Sequence, residues 1–402
     1  MSGPLSGYRV LELTSTVSGP MAAMVLADQG ADVIKIEPPL IGDAARYMGN
    51  TRAGMGAMFA VLNRNKRSLV LNIKEQADKD IFLQLVATAD VLLENYRPGV
   101  VDKLGIDYES LKKINPKLVY ASISGYGQSG PYKNRKVYDP LIQATTGTVH
   151  AQGKSGEPVN MASVVYDKVT GLTTAQSITA ALLQRGKTGQ GQYLPISMLE
   201  SALYYIWPDV YWSKTLQGDD IAHNGELADY FQVFTAKDGH IAIILISDDD
   251  LQVFCLWLGA ALHEDERFSS LGARLQNLPA FKDEINKLLV DHEVDELCET
   301  LDSMNVPVAK VNTMATVQND PQIIQQGSLV EINHPVLGEM RLPRPPFNMH
   351  EQDVFPKSHA PFLGDHSREI LTQLGVGEPD IERMEQRESA NRDIIKAMAA
   401  QD

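Results

Sequence analysis

Asp167 heads a long helical pattern, and a carboxylate at such a place can do one of two things. It can cap the helix by accepting a free backbone N–H. It can also serve as a nucleophile or base, kept ionised by the positive end of the helix dipole. Position alone favours the cap. The same helix carries Gly171, Ala175, Ala180 and Ala181, small residues that let a neighbouring element come close to it.

Other motifs narrow the chemistry. Gly125-Tyr126-Gly127-Gln128-Ser129-Gly130 follows a strand-like run and fits a dinucleotide fingerprint, which must open a helix whose N-terminus receives the pyrophosphate. Here Pro131 and a basic run to Lys136 follow, and helical periodicity starts only near Asp139, which speaks against a nicotinamide or flavin site. The first crossover turn, Thr14-Ser15-Thr16-Val17-Ser18-Gly19-Pro20, is better placed. It lacks the required glycines, yet its amides can face an anion or a thioester. The histidines lack metal spacing, and no metal site is expected. No G-x-S-x-G elbow is present. Asp248, Asp249 and Asp250 read as a helix start.

These residues need a scaffold, and the first half supplies one. Strand-like runs at 8–13, 33–37, 91–93, 118–123 and 193–196 alternate with helical runs at 19–29, 78–88, 108–114 and 167–185. Strand, helix, strand at this spacing predicts an α/β, Rossmann-like domain with a mostly parallel sheet and ligands at the carboxyl ends of its strands. A further apolar helix spans 198–212. The style changes near residue 225. A hairpin pattern at 231–246 and helices at 248–258, 280–289 and 294–304 predict a smaller α+β domain. Two helices, 367–374 and 379–386, close the pattern, and the charged run from Arg387 is expected to fray.

Composition agrees with a globular chain of two domains: 402 residues, 44% hydrophobic and 22% charged. A net charge of −15 argues against a nucleic-acid partner. Cationic residues nevertheless cluster, at Arg64, Lys66 and Arg67 and at Lys133, Arg135 and Lys136, where a polyanionic small molecule could bind. No apolar run is long enough for a bilayer, so no membrane partner is expected. Cys255 and Cys298 read as free core thiols, and with no signal-peptide pattern at the N-terminus the expected location is cytoplasmic.

The order of several motifs resembles the class III CoA-transferase (CaiB/BaiF) family, which includes formyl-CoA:oxalate and carnitine CoA-transferases and α-methylacyl-CoA racemase. The similar segments are Leu5-Ser6-Gly7-Tyr8-Arg9-Val10-Leu11-Glu12-Leu13, Gly19-Pro20, Gly30-Ala31-Asp32-Val33-Ile34-Lys35-Ile36-Glu37, Asn65-Lys66-Arg67-Ser68 and Glu94-Asn95-Tyr96-Arg97-Pro98-Gly99. Ser124-Gly125-Tyr126-Gly127, Asp167 with Gly171, and Thr188-Gly189-Gln190-Gly191-Gln192 complete the set, which covers nearly the whole chain.

The resemblance implies an interlinked homodimer. It implies a large domain built from residues 1–215 and 326–402, with the small domain, 225–325, between them. It implies CoA transfer from an acyl-CoA to a free carboxylic acid, with Asp167 as the catalytic carboxylate and anhydride and aspartyl-CoA thioester intermediates. Coenzyme A would be a substrate, with no tightly bound cofactor. Lys66, Arg67, Leu71, Lys74, Asn95, Tyr96, Arg97, Lys103 and Lys136 would contact CoA, and Val17, Ser18, Tyr138 and Asp139 the substrate. The racemase alternative needs a histidine where this chain has Tyr138, and tyrosine is a poor base at its usual pKa of about 10. Asp248 is the position to compare with the racemase's second acid. Two further alternatives are a non-catalytic CoA-binding protein and a nucleotide-dependent oxidoreductase. Three departures bear on the substrate. Val17 stands where oxalate-using relatives have glutamine, Pro38 stands where a cation often follows the second strand, and the loop at His223-Asn224-Gly225-Glu226 is much shorter than their glycine-rich one.

Overall fold

The computed structural model describes residues 3–153, 157–222, 226–346 and 355–399. The chain divides into two compact units, Met1–Tyr205 with Ser328–Asp402, and Ile206–Gly327. The first boundary falls inside the helix Met198–Val210, before the expected gap at 215–225, and the second falls between residues 327 and 328.

The large unit is organised by six strands: β1 (Arg9–Leu13), β2 (Asp32–Glu37), β3 (Lys66–Val70), β4 (Val91–Glu94), β5 (Val119–Ser124) and β6 (Gln192–Ser197). All pairings are parallel and the spatial order is β3-β2-β1-β4-β5-β6. Central parallel strands are covered on both faces and so carry nearly continuous apolar runs; every residue of β5 is buried. Winding reverses between β1 and β4, which places the ligand crevice of such a sheet at the carboxyl ends of these two strands.

Four helices matter for the site: α1 (Ser18–Asp28), α2 (Gln76–Thr88), α3 (Asp139–Thr145) and α4 (Val165–Thr188). One face of the sheet packs on Ala22, Ala23 and Leu26 of α1 and on Ala175, Ile178 and Leu182 of α4. The other packs on Phe82 and Leu85 of α2, together with Ile370, Leu371, Ile381 and Met384, so the C-terminal segment completes the core of the large unit. The last helix, Glu378–Ala399, runs well past the 379–386 read from the sequence.

Strand β3 has no counterpart in the sequence reading, because it opens on two cations. Both are partnered: the Lys66 ammonium lies 2.8 Å from Glu12, and Arg67 grips both oxygens of Asp32. Helix α4 begins two residues earlier than expected and ends later, at a left-handed Gly189 (φ 71°) that an L side chain would strain. Gly171 sits where α1 and α4 touch. A Cβ there would lie 2.7 Å from the Ser18 carbonyl oxygen and 2.9 Å from the Met21 Cβ.

In the smaller unit, β7 (Gln232–Thr235), β8 (His240–Ile243) and β9 (Val308–Lys310) form an antiparallel sheet in the order β9-β8-β7. Phe234, Ile241, Phe254, Phe281 and Leu297 fill its core. The first two strands are the hairpin read from the sequence; β9, only three residues long, was not legible there. Among the described residues, no helix is long and apolar enough to cross a membrane, and no group of three or more His, Cys, Asp or Glu is placed to hold a metal.

The contact at Gly171 yields the first expectation. Gly171→Ala forces the Ser18 backbone away from α4 and destabilises the chain by about 1–3 kcal/mol, despite alanine's better helix propensity. The midpoint of urea unfolding measures it; an unchanged or higher midpoint means the helices can separate without loss.

Candidate functional site

Asp167 is the third residue of α4, not its cap. The N-cap position is Val164, which offers no side-chain acceptor. The free amides at the helix head are instead satisfied from outside: Asp139 Oδ2 accepts the N–H of Tyr166 at 2.5 Å and that of Asp167 at 3.0 Å. Gln143 donates to the other Asp139 oxygen, and its own carbonyl accepts the Met161 N–H at 2.9 Å. A carboxylate supplied by α3 thus caps α4. Asp139 is 1% exposed, and both of its oxygens are engaged. This corrects the expectation that it meets the substrate; it acts on Asp167.

The Asp167 carboxyl is partly buried near the start of α1, whose Ser18 backbone lies against Gly171 one turn along α4. Burial pushes its pKa up to about 6, and the like charge of Asp139 adds to the rise, with Ser18 opposing it. Near neutral pH a carboxyl with this pKa is still mostly ionised. Val17, just before α1, turns its side chain into an apolar cluster with Met24 and Leu62, against which Val164 packs. Tyr138 precedes α3 and is 69% exposed.

Because all six strands are parallel, the loops that follow them leave the same edge of the sheet. Lys74 follows β3, Asn95, Tyr96 and Arg97 follow β4, Lys103 lies in the short helix Val100–Leu104, and Lys136 lies between β5 and α3. Lys74, Arg97, Lys103 and Lys136 are exposed, and among the described residues none has an ion-pair partner. The two cations of β3 are placed differently. Lys66 is 1% exposed and also donates to the Pro20 carbonyl and to Asn63, so it offers no free ammonium to a phosphate. Burial pushes its pKa below the lysine range, with Glu12 opposing the fall. Arg67 is tied to Asp32, Glu369 and Gln373 toward the amino edge of the sheet. Leu71 packs its side chain in the core beside the sheet, and its backbone N–H is bonded to the Glu37 carbonyl. The side chains of these three residues are thus committed to partners or to the core within the chain.

Several residues at this edge escaped notice as site residues. Glu12, Lys35 and Glu94 are buried charges within strands or at their ends, and Asp43 is a buried charge in the segment after β2. Lys35 pairs with Glu12 at 3.0 Å and with Asp43 at 2.8 Å, and the two anions hold it above the lysine range although burial acts the other way. Burial pushes Glu94 up to about 7; it accepts the Tyr96 N–H at 2.8 Å and lines a cavity of about 250 Å³ with Tyr96, Arg97, Gln128 and Tyr193. A charge within an apolar strand run was the available signal. The capping role of Asp139 left none, since cap and helix lie 27 residues apart. In the smaller unit, Asp248 is bound to buried Arg274 at 2.7 Å. Residues 223–225 of the shortened loop lie outside the described residues.

The chain is similar to known proteins along most of its length. The profile of CoA-transferase family III matches residues 5–367. Succinyl-CoA:glutarate CoA-transferase of Mus musculus is 34% identical over 386 residues, spanning 92% of this chain and 86% of the relative. Acetyl-CoA:oxalate CoA-transferase of Acetobacter aceti is 36% identical over 336 residues, with 82% and 86% covered. An Escherichia coli formyl-CoA:oxalate CoA-transferase is 32% identical, with 96% and 99% covered. The crystal structure of a CAIB/BAIF family protein from Brucella suis superposes with a TM-score of 0.81 at 31% identity, covering 93% of this chain and 100% of that one. With a parallel sheet, a site-facing aspartate and matches along most of its length, the chain belongs to CoA-transferase family III.

Proposed function

We propose that this enzyme transfers CoA from an acyl-CoA thioester to a small free carboxylic acid, with Asp167 as the covalent nucleophile. The observation that carries the reading is the Asp167 carboxyl itself, partly buried at the helix head, near Ser18 and raised toward neutrality. An Asp167 oxygen attacks the thioester carbonyl, the C–S bond breaks and CoA leaves as thiolate. The thiolate attacks the aspartyl carbonyl of the mixed anhydride, releases the donor acid and forms an aspartyl-CoA thioester. The acceptor carboxylate attacks that carbonyl, expels the thiolate and forms a second anhydride. Thiolate attack on the acceptor's acyl carbon then gives the new acyl-CoA and frees Asp167. A carboxylate suits this exchange because every intermediate stays activated, provided water is excluded.

CoA enters and leaves as a substrate in this reading, with no tightly held cofactor. Lys74, Arg97, Lys103 and Lys136 supply positive charge for its phosphates at the edge where the loops gather. The names of the relatives support small carboxylates, oxalate and glutarate among them, as acceptors. Val17 turns into an apolar cluster and offers no polar contact of its own to the acyl group. We assign the active form to a homodimer, interlinked as in the family it resembles. Its support in the large unit is an uncovered face on α4 and the following helix, where Leu172, Tyr204 and Tyr205 are exposed, Tyr204 at 87%. Two free cysteines suit a cytoplasmic location.

Four outcomes test this. Incubation with a panel of acyl-CoAs followed by hydroxylamine leaves a hydroxamate on Asp167, read by peptide mass spectrometry and absent in Asp167→Ala; an unmodified Asp167 with every donor sinks the mechanism. Because the nucleophile is the ionised form, kcat falls as pH drops through about 6 and levels off above it. Removing the like charge in Asp139→Asn lowers the Asp167 pKa and moves this acid limb to lower pH, and a limb that stays in place shows that Asp139 does not set it. Alanine at Arg97, Lys103 or Lys136 raises KM for acyl-CoA about three- to tenfold with kcat nearly constant, and added salt shrinks the difference.

A further inference from the structure

The turn between β1 and α1 is held in an unusual way. Three consecutive residues have backbone groups bonded to side chains from elsewhere in the sheet: Lys35 within β2, Asn95 just past β4 and Asp43 in the segment after β2. The Thr14 carbonyl accepts from the Lys35 ammonium at 2.9 Å. The Ser15 N–H donates to Asn95 Oδ1 at 3.1 Å, and the Ser15 carbonyl accepts from Asn95 Nδ2 at 2.9 Å. The Thr16 N–H donates to Asp43 Oδ1 at 2.9 Å. Thr16 has φ 74°, a left-handed conformation that a β-branched residue adopts only when its surroundings impose it. Two residues on comes Ser18, whose carbonyl oxygen would lie 2.7 Å from a Cβ at Gly171, one turn along α4 from Asp167.

We infer that Asn95 and Asp43 are positioning residues that clamp the 14–17 turn and thereby aim Ser18 at Asp167. The inference rests on the reading of Asp167 as the reacting carboxylate. Asn95 stands just past β4, across the reversal of winding from β1. Its primary amide donates with one atom and accepts with the other, so a single side chain takes both backbone groups of Ser15. With both atoms committed, Asn95 acts through the turn and not by reading CoA with its side chain. Asp43 is fixed in its own right. Its Oδ1 also accepts the Ala45 N–H at 2.9 Å, and its Oδ2 lies 2.8 Å from Lys35, which is anchored on Glu12. The buried charges below the turn thus serve as its foundation, and Asn95 closes it from the other half of the sheet. A reacting group needs its hydrogen-bond donors in place before the reaction starts.

Asn95→Ala tests this without changing any charge. We expect kcat to fall by about tenfold to a hundredfold while KM for acyl-CoA stays within about twofold. We also expect the acid limb of kcat to move to higher pH, because Asp167 loses well-placed donors. Asn95→Asp provides the second variant. It keeps size and the acceptor for the Ser15 N–H but cannot donate to the Ser15 carbonyl, so it behaves as Asn95→Ala does. A loss confined to KM makes Asn95 a ligand contact and overturns the inference, as does a wild-type kcat in Asn95→Asp. Protonation of Asp167 is followed apart from turnover by infrared titration of 13C-aspartate-labelled chain against Asp167→Asn. An upward shift of that midpoint in both Asn95 variants supports the clamp, and an unmoved midpoint overturns it. If hydroxylamine traps nothing on the unaltered enzyme, the nucleophile reading falls while the infrared midpoints still decide the clamp.

Discussion

The site depends on how the head of α4 is satisfied. A helix starts with amides that have no partner in the helix, and here Asp139 takes those of Tyr166 and Asp167 from a separate helix. That leaves the Asp167 side chain free of capping duty. It also sets a second anion beside it, which adds to the effect of burial in making the carboxyl hold its proton more tightly than an exposed aspartate would. Gly171, one turn along, removes the Cβ that would keep α1 away, and the approach of α1 brings Ser18 to the carboxyl. Cap, close approach and raised proton affinity form one arrangement.

A second constraint lies under the turn. Glu12, Lys35, Lys66 and Asp43 are almost wholly withdrawn from water, and isolated charges so placed would be very costly. Each is paired, and several bonds of the group end on backbone atoms, at Thr14, Thr16 and Pro20. Replacement by apolar residues could preserve stability in such a cluster but would leave those backbone atoms without partners. This gives a physical reason for charge inside strands that are otherwise apolar.

Much of this was legible in the sequence, for identifiable reasons. The parallel sheet followed from apolar runs alternating with helical ones, and Asp167 could be singled out because the motifs around it resemble a family with a reacting aspartate. Strand β3 was hidden because Lys66 and Arg67 look like surface until Glu12 and Asp32 are seen opposite them. The same hidden pairing made both cations look like phosphate ligands, whereas Lys74, Arg97, Lys103 and Lys136 remain exposed. Asp139 and Asn95 exert their effects on partners 27 and 80 residues away, and periodicity carries no information at that range.

The tie between Asn95 and Ser15 also bears on how the molecule breathes. Loops beside active sites commonly open on their own, at a small fraction of the free energy of global unfolding. Here the turn is bonded to Lys35 of β2 and to Asn95 just past β4, strands that lie on opposite sides of β1. Opening it means disturbing both neighbours of the central strand. The amide protons of Ser15 and Thr16 should therefore exchange with solvent in step with the core of the sheet, leaving the wall beside Asp167 among the most static parts of the large unit.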